Sequence, residues 1–221
     1  ADISTDGSVS NGQQIDDFVC DCCRTDIAMT SMGRVAVYRN RTQEEIRDIY
    51  IARHVEGEWQ TGTSLSDDNW EIAGCPVNGP AISANGDLVA IAWFTAANNE
   101  PKVQLRISQD AGASFGETVL ISQSNTIGQV DVEILDDTSV AVSWLESRAS
   151  ESADRINVKL VPVTIHGTKG ADRVVGWTAY RRAVPQMRLV DDNLIFVWVD
   201  ANGGPTRLAS VRVPIRDNNE L

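Results

Sequence analysis

The sequence predicts an all-β chain, a β-propeller of four-stranded antiparallel blades with about four blades present, and three observations lead there. An apolar motif recurs as Val35-Ala-Val-Tyr38, Val89-Ala-Ile-Ala-Trp93, Val140-Ala-Val-Ser-Trp144 and Leu194-Ile-Phe-Val-Trp198, with closing aromatics 55, 51 and 54 residues apart. Each copy follows a short strand and a turn, and each leads through a polar loop to another strand. The stretch Leu105 to Phe115 joins a strand to residues that reverse the chain. A β-sandwich also has short strands and regular turns, but it has no reason to repeat an apolar-aromatic motif at near-constant spacing.

Taken in order, the repeats lie near residues 24–66, 81–121, 130–170 and 186–215. Their turns fall at 30–33, 84–87, 136–138 and 191–193, and their third strands at 48–53, 103–108, 156–161 and 208–213. Inter-blade loops are expected at 11–25, 67–80, 122–130 and 177–186. The whole of 1–221 is read as one propeller domain or part of one. The first twelve residues read as a final strand without a blade of its own, which either closes the fourth blade or is the tail of an upstream blade. The second is preferred, because the pattern opens in mid-repeat. Open blade edges are then expected to be covered by an upstream segment or by another copy of the chain, since unpaired backbone groups invite pairing.

Composition excludes several classes. With 19 basic residues against 31 acidic ones and a net charge of −12, the chain lacks the cationic surface that a nucleic-acid partner requires. No apolar run approaches the roughly 18 residues of a membrane span. Four cysteines, three of them at positions 20, 22 and 23, fit an oxidising compartment, so a periplasmic or secreted location is expected. No cofactor is expected.

The turn at Ser108-Gln-Asp110-Ala-Gly112-Ala-Ser-Phe115 has a readable physics. Asp110 accepts hydrogen bonds from its own turn, Gly112 supplies a φ that a Cβ resists, and Phe115 folds back as an apolar plug. Such a turn specifies a hairpin, not a reaction. Its pattern matches the Asp-box and resembles the bacterial neuraminidase repeat of sialidase-like β-propellers; weaker copies occur at 53–59 and 165–170. The segments 19–25, 38–41 with 45–49, and 68–80 resemble bacterial exported proteins of the sialidase-like or exo-α-sialidase type, a likeness that covers about residues 16–146. The resemblance implies a six-bladed architecture of which this chain is part, structural boxes on the outer rim, and a glycoside hydrolase or binder acting on acidic glycans at the channel face. The sialidase set of three arginines, a tyrosine with its glutamate, and an acid cannot be placed, so the catalytic residues are unassigned. A non-catalytic partner-binding or structural propeller is the alternative, and a metal-binding protein using the cysteines is a third.

Propeller chemistry belongs on the face formed by inter-blade loops and by the loops between second and third strands. Arg24, Arg39, Arg41, Arg47, the cysteines and the run 67–71 gather there. Arg39 and Arg47 are candidate carboxylate clamps, because guanidinium groups bind carboxylates through paired hydrogen bonds; Arg47 pairing with Asp48 is the competing reading. Trp70 is a candidate platform for a sugar ring or else packs between blades. Glu146 is a candidate acid or ligand contact at the channel mouth, and Tyr180 a nucleophile or, more simply, a loop anchor. His54 and His166 fall on outer turns of different blades, so no histidine metal site is expected. For the cysteines, the least strained pairing is Cys20 with Cys23 and Cys22 with Cys75. Zinc or a cuprous ion held by the four thiolates is the rival.

Overall fold

The structure is a computed structural model that describes residues 4–9, 12–123, 125–147, 156–181, 183–201 and 204–215. The first antiparallel sheet contains β1 (Asp26–Thr30), β2 (Gly33–Arg39), β3 (Ile49–Val55) and two short pieces, β4 (Glu58–Trp59) and β5 (Thr63–Ser64), both paired with β3. The second is β6 (Ala81–Asn85), β7 (Leu88–Thr95), β8 (Lys102–Ser108) and β9 (Val119–Ser122). The third is β10 (Thr126–Asp136), β11 (Ser139–Ser147), β12 (Ile156–Thr164) and β13 (Arg173–Thr178). The fourth is β14 (Gln186–Val190), β15 (Asn193–Asp200) and β16 (Arg207–Pro214), three strands among the described residues where four are expected. Every sheet is a meander, and the inner strands β1, β6, β10 and β14 lie side by side in chain order as an open arc.

Tyr38, Trp93, Trp144 and Trp198 are each the sixth residue of the second strand in their sheet. The cause is burial, on both faces in β7 and β11 and chiefly on one face in β2 and β15. Val35, Val37, Ile49 and Ile51 pack against Ile82, Val89, Ile91 and Trp93 between the first two sheets. Comparable clusters, around Trp144 and around Trp198, fill the next two interfaces. A strand buried on both sides reads as a continuous apolar run, which is why the repeat is visible at all. Each aromatic also anchors its polar atom: the Tyr38 hydroxyl donates to Asp16 (2.6 Å), and the indole N–H groups of Trp93, Trp144 and Trp198 donate to Asp68, Glu146 and the Trp177 carbonyl.

A second set of links joins the inner strands. A side-chain oxygen on one inner strand accepts a backbone N–H from the next: Asp26 from Ile82 (3.1 Å), Ser83 from Ile134 (3.2 Å), Asp131 from Met187 (2.6 Å) and Glu133 from Leu189 (3.0 Å). Asp26 pairs with Val37 and Asp131 with Ser143, each the residue before the repeat's aromatic, so the two acids are equivalent positions. An inner strand has a free edge whose N–H groups require acceptors, and these side chains supply them.

At the first boundary, residues 4–9 form a turn with a bridge at Val9, and the rest of the expected opening strand falls on residues 1–3 and 10–11, outside the described residues. Residues 12–18 lie against the first sheet, where Gln13 accepts from the Trp59 N–H and Asp16 from Tyr38. Among the described residues this segment makes no pairing with the fourth sheet. The expected loop 122–130 is largely strand, since β10 starts at Thr126 and passes through bulges at Gly128 and Gln129, both with positive φ. At Gly128 a Cβ would sit 2.3 Å from Asn78 Oδ1 and 2.7 Å from Phe94 Cγ, so only glycine fits. Asn78 Oδ1 there accepts the Gln129 N–H.

The turn after β8 is closed by its own side chains. Ser108 Oγ accepts from the Gly112 N–H (2.9 Å) and donates to Asp110 (2.7 Å), while Asp110 accepts from the Ser114 N–H (2.8 Å). The Ser114 hydroxyl donates to Asp110 as well (2.5 Å) and, with Ser108 and the Ser114 N–H, holds its carboxyl down at about 2. Phe115 packs on the cluster between the first two sheets. The turn therefore locks neighbouring sheets and presents no reactive arrangement.

Candidate functional site

At the end of β2 the chain gathers the arginines and cysteines expected on the channel face, but it uses them to build a knot. Arg39 is 1% exposed. Its Nε donates to the Asn78 carbonyl (2.8 Å), Nη2 to Phe94 (2.6 Å) and Nη1 to Arg47, tying the first sheet to loop 66–80 and to β7. Burial lowers its pKa to about 10, against the support of nearby Asp68 and Asp48, so it stays charged at neutral pH. Trp70 (6% exposed) lies beneath this guanidinium and edge-on to Phe94. Neither Arg39 nor Trp70 is open to a ligand: the clamp donates to carbonyls, and the sugar platform is packed.

Arg47 is likewise buried at 3%. It pairs with Glu45 (2.8 Å) and points Nη1 at Cys20 Sγ (3.3 Å), not at Asp48. Asp48 accepts instead from the Asn69 and Trp70 N–H groups, and burial raises its pKa despite them. The structure joins Cys20 to Cys23 and Cys22 to Cys75. Glu146 turns its side chain toward β9, accepting from Trp144 and from Ser122 (3.3 Å) and facing Lys159 at 3.7 Å. It lines a recess of about 430 Å³ with Lys169 and Asp172, beside the outer strand β9. Tyr180 is exposed.

The inner wall holds what sequence reading missed. Arg24, in the loop before β1, crosses to donate to the Val130 carbonyl of β10. Beside it Asp131 is almost fully buried, and burial lifts its carboxyl to about 6 against the pull of the Met187 N–H, Arg24 and Arg188. Glu133, two residues on, is also raised by burial, offset in part by the Leu189 N–H and Arg188. Arg188 on β14 is well exposed and holds Nη1 3.8 Å from a carboxyl oxygen of each. Two carboxyl groups and two guanidinium groups thus share the surface where three blades meet. Burial thus brings the Asp131 carboxyl nearer to neutral pH than an ordinary carboxylate stands. The signal in the sequence is Val130-Asp-Val-Glu-Ile134, acids alternating through an otherwise buried strand.

Comparisons with known proteins fit this architecture. No family model and no curated protein matches the sequence. Among solved structures the chain is similar to a GH43_12 retrieved from capybara gut metagenome, at 9% identity and TM-score 0.55, covering 91% of this chain and 42% of that one. It is also similar to GH43B of the Bacteroides ovatus xyloglucan PUL, at 12% identity and TM-score 0.52, covering 88% of this chain and 39% of that one. A third is the subtype N11 neuraminidase-like protein of A/flat-faced bat/Peru/033/2010, at 8% identity and TM-score 0.50, covering 86% and 52%. At such identities the likeness is one of fold: an open arc of β-propeller blades. The chain spans about two fifths to one half of the length of these structures.

Proposed function

We propose that this chain supplies part of the glycan-facing wall of an exported, sialidase-like propeller that binds or hydrolyses acidic glycans, its open blade faces being covered by an upstream segment or a second copy. The observation that carries the reading is the inner-wall cluster of Asp131, Glu133, Arg188 and Arg24, set in a fold shared with carbohydrate-acting proteins. Arg188 is the open guanidinium of that cluster, and it offers its charge to an anionic group on a sugar. Glu133 is less buried than Asp131, so it is the acid we assign to protonate a leaving glycosidic oxygen, while both acids also accept a backbone N–H from β14. The intact protein, offered fluorogenic sialosides beside neutral arabinosides and xylosides, is expected to bind or cleave a sialylated ligand. Arg188→Ala should weaken binding about tenfold, and Glu133→Gln should abolish turnover while keeping binding. Absence of binding and turnover with every glycan, or unchanged behaviour in both variants, refutes the assignment.

A second reading, a non-catalytic propeller, is favoured by one observation: Asp131 and Glu133 each give an oxygen to a backbone N–H of the next blade. Binding without turnover in the wild type, unaltered in Glu133→Gln, selects it.

A further inference from the structure

We propose that the four-sulfur cluster, once reduced, is a binding site for a single cuprous ion, with Cys20, Cys22 and Cys23 as its ligands. The three sulfurs lie within 4.8 Å of one another. Cys20 and Cys22 are not bonded to each other, yet their sulfurs stand 3.7 Å apart. Metal–sulfur bonds of about 2.3 Å arranged in a trigonal plane separate the sulfurs by about 4 Å, close to the Cys20–Cys22 spacing. Soft thiolates select a soft monovalent ion, and three ligands suffice for it. Zinc requires four in a tetrahedron, and the fourth sulfur here belongs to Cys75, which sits on an exposed loop.

Backbone hydrogen bonds hold two of the three ligands besides the disulfides. Cys20 donates its N–H to the Arg39 carbonyl (2.9 Å), Val19 bridges Asn40, and the Cys23 N–H closes the turn onto the Cys20 carbonyl. A guanidinium also faces the cluster. Arg47, with its side chain 4% exposed, aims Nη1 at Cys20 Sγ, and its Nε has no hydrogen-bond partner. A buried guanidinium that spends one nitrogen on sulfur and leaves another unsatisfied sits poorly beside a neutral disulfide. Beside an anionic thiolate–metal centre it is a counter-charge.

The redox step balances as follows. Each disulfide accepts two electrons and two protons from a dithiol, giving two thiols while the dithiol closes to its own disulfide; two dithiols open both bonds. Three S–H bonds then break, their protons pass to solvent, and three copper–sulfur bonds form.

The test is competition for cuprous ion between the full chain and a colorimetric cuprous chelator, under anaerobic conditions after reduction and removal of the dithiol. The reduced wild type is expected to retain one copper per chain, and the oxidised protein none. Cys22→Ser and Cys75→Ser both lose the same long cross-link, so they carry the same structural penalty, but only the first removes a ligand. Cys75→Ser should therefore keep its copper and Cys22→Ser should lose it, with far-UV circular dichroism showing equal folding of the two. Loss of copper by both variants, retention by both, binding by the oxidised protein, or preferential retention of zinc overturns the proposal.

Discussion

Asp131→Asn isolates the energetic cost of an ionised carboxylate on the inner wall. The folded chain lifts this group from an ordinary 3.8 to about 6, chiefly by burial. The folded state therefore binds the proton more tightly than the unfolded one. Stability from this group is fully present below about pH 4 and is lost as the pH rises through about 6. Each tenfold step in proton affinity is worth about 1.4 kcal/mol, so the ionised form is disfavoured by about 3 kcal/mol at pH 8. Asparagine retains an acceptor for the Met187 N–H and carries no charge. In urea denaturation without reductant, the variant should gain about 3 kcal/mol on the wild type between pH 3.5 and pH 8. Taking the difference between the two proteins cancels the titrating groups that are not coupled to Asp131. A difference that stays level within about 0.5 kcal/mol, or that grows toward acid, would refute the burial argument.

Two further outcomes follow from the packing. Arg39→Met fills a similar volume but leaves the Asn78, Arg47 and Phe94 carbonyls without their donor, and it should cost about 3–5 kcal/mol in denaturant titration; an unchanged midpoint contradicts the structural role given to this arginine. Gly128→Ala forces a Cβ onto Asn78 and Phe94 at φ +89°, and should cost about 2–4 kcal/mol, so a loss below about 0.5 kcal/mol would show that the bulge in β10 is misplaced.

The blade repeat is legible because β2, β7, β11 and β15 carry much of the apolar packing between sheets, and an aromatic at the sixth position fills each interface. Strand boundaries are legible where turns carry glycine or aspartate. The start of β10 is not, because bulges made by Gly128 and Gln129 look like loop. Arg39, Arg47 and Trp70 are visible as a concentration of residue types, but sequence does not say whether a guanidinium meets solvent or a row of carbonyls. Their burial depends on loop 66–80 folding back from the next blade. Asp131 and Glu133 escape notice for the opposite reason. They lie within a strand that reads as core, and their role depends on Met187 and Leu189, 56 residues downstream.

Among the described residues, the backbone N–H links from one inner strand to the next run one way. In every case the earlier blade offers the oxygen and the later blade brings the N–H. As the polypeptide leaves the ribosome, each completed blade is thus a template with its acceptors already in place when its successor emerges. The succession of blades is written in these side chains. A circular permutation that cuts between blades would preserve the matches within the moved blocks, whereas exchanging the second and third blades would set Asp26 and Ser83 against the wrong partners.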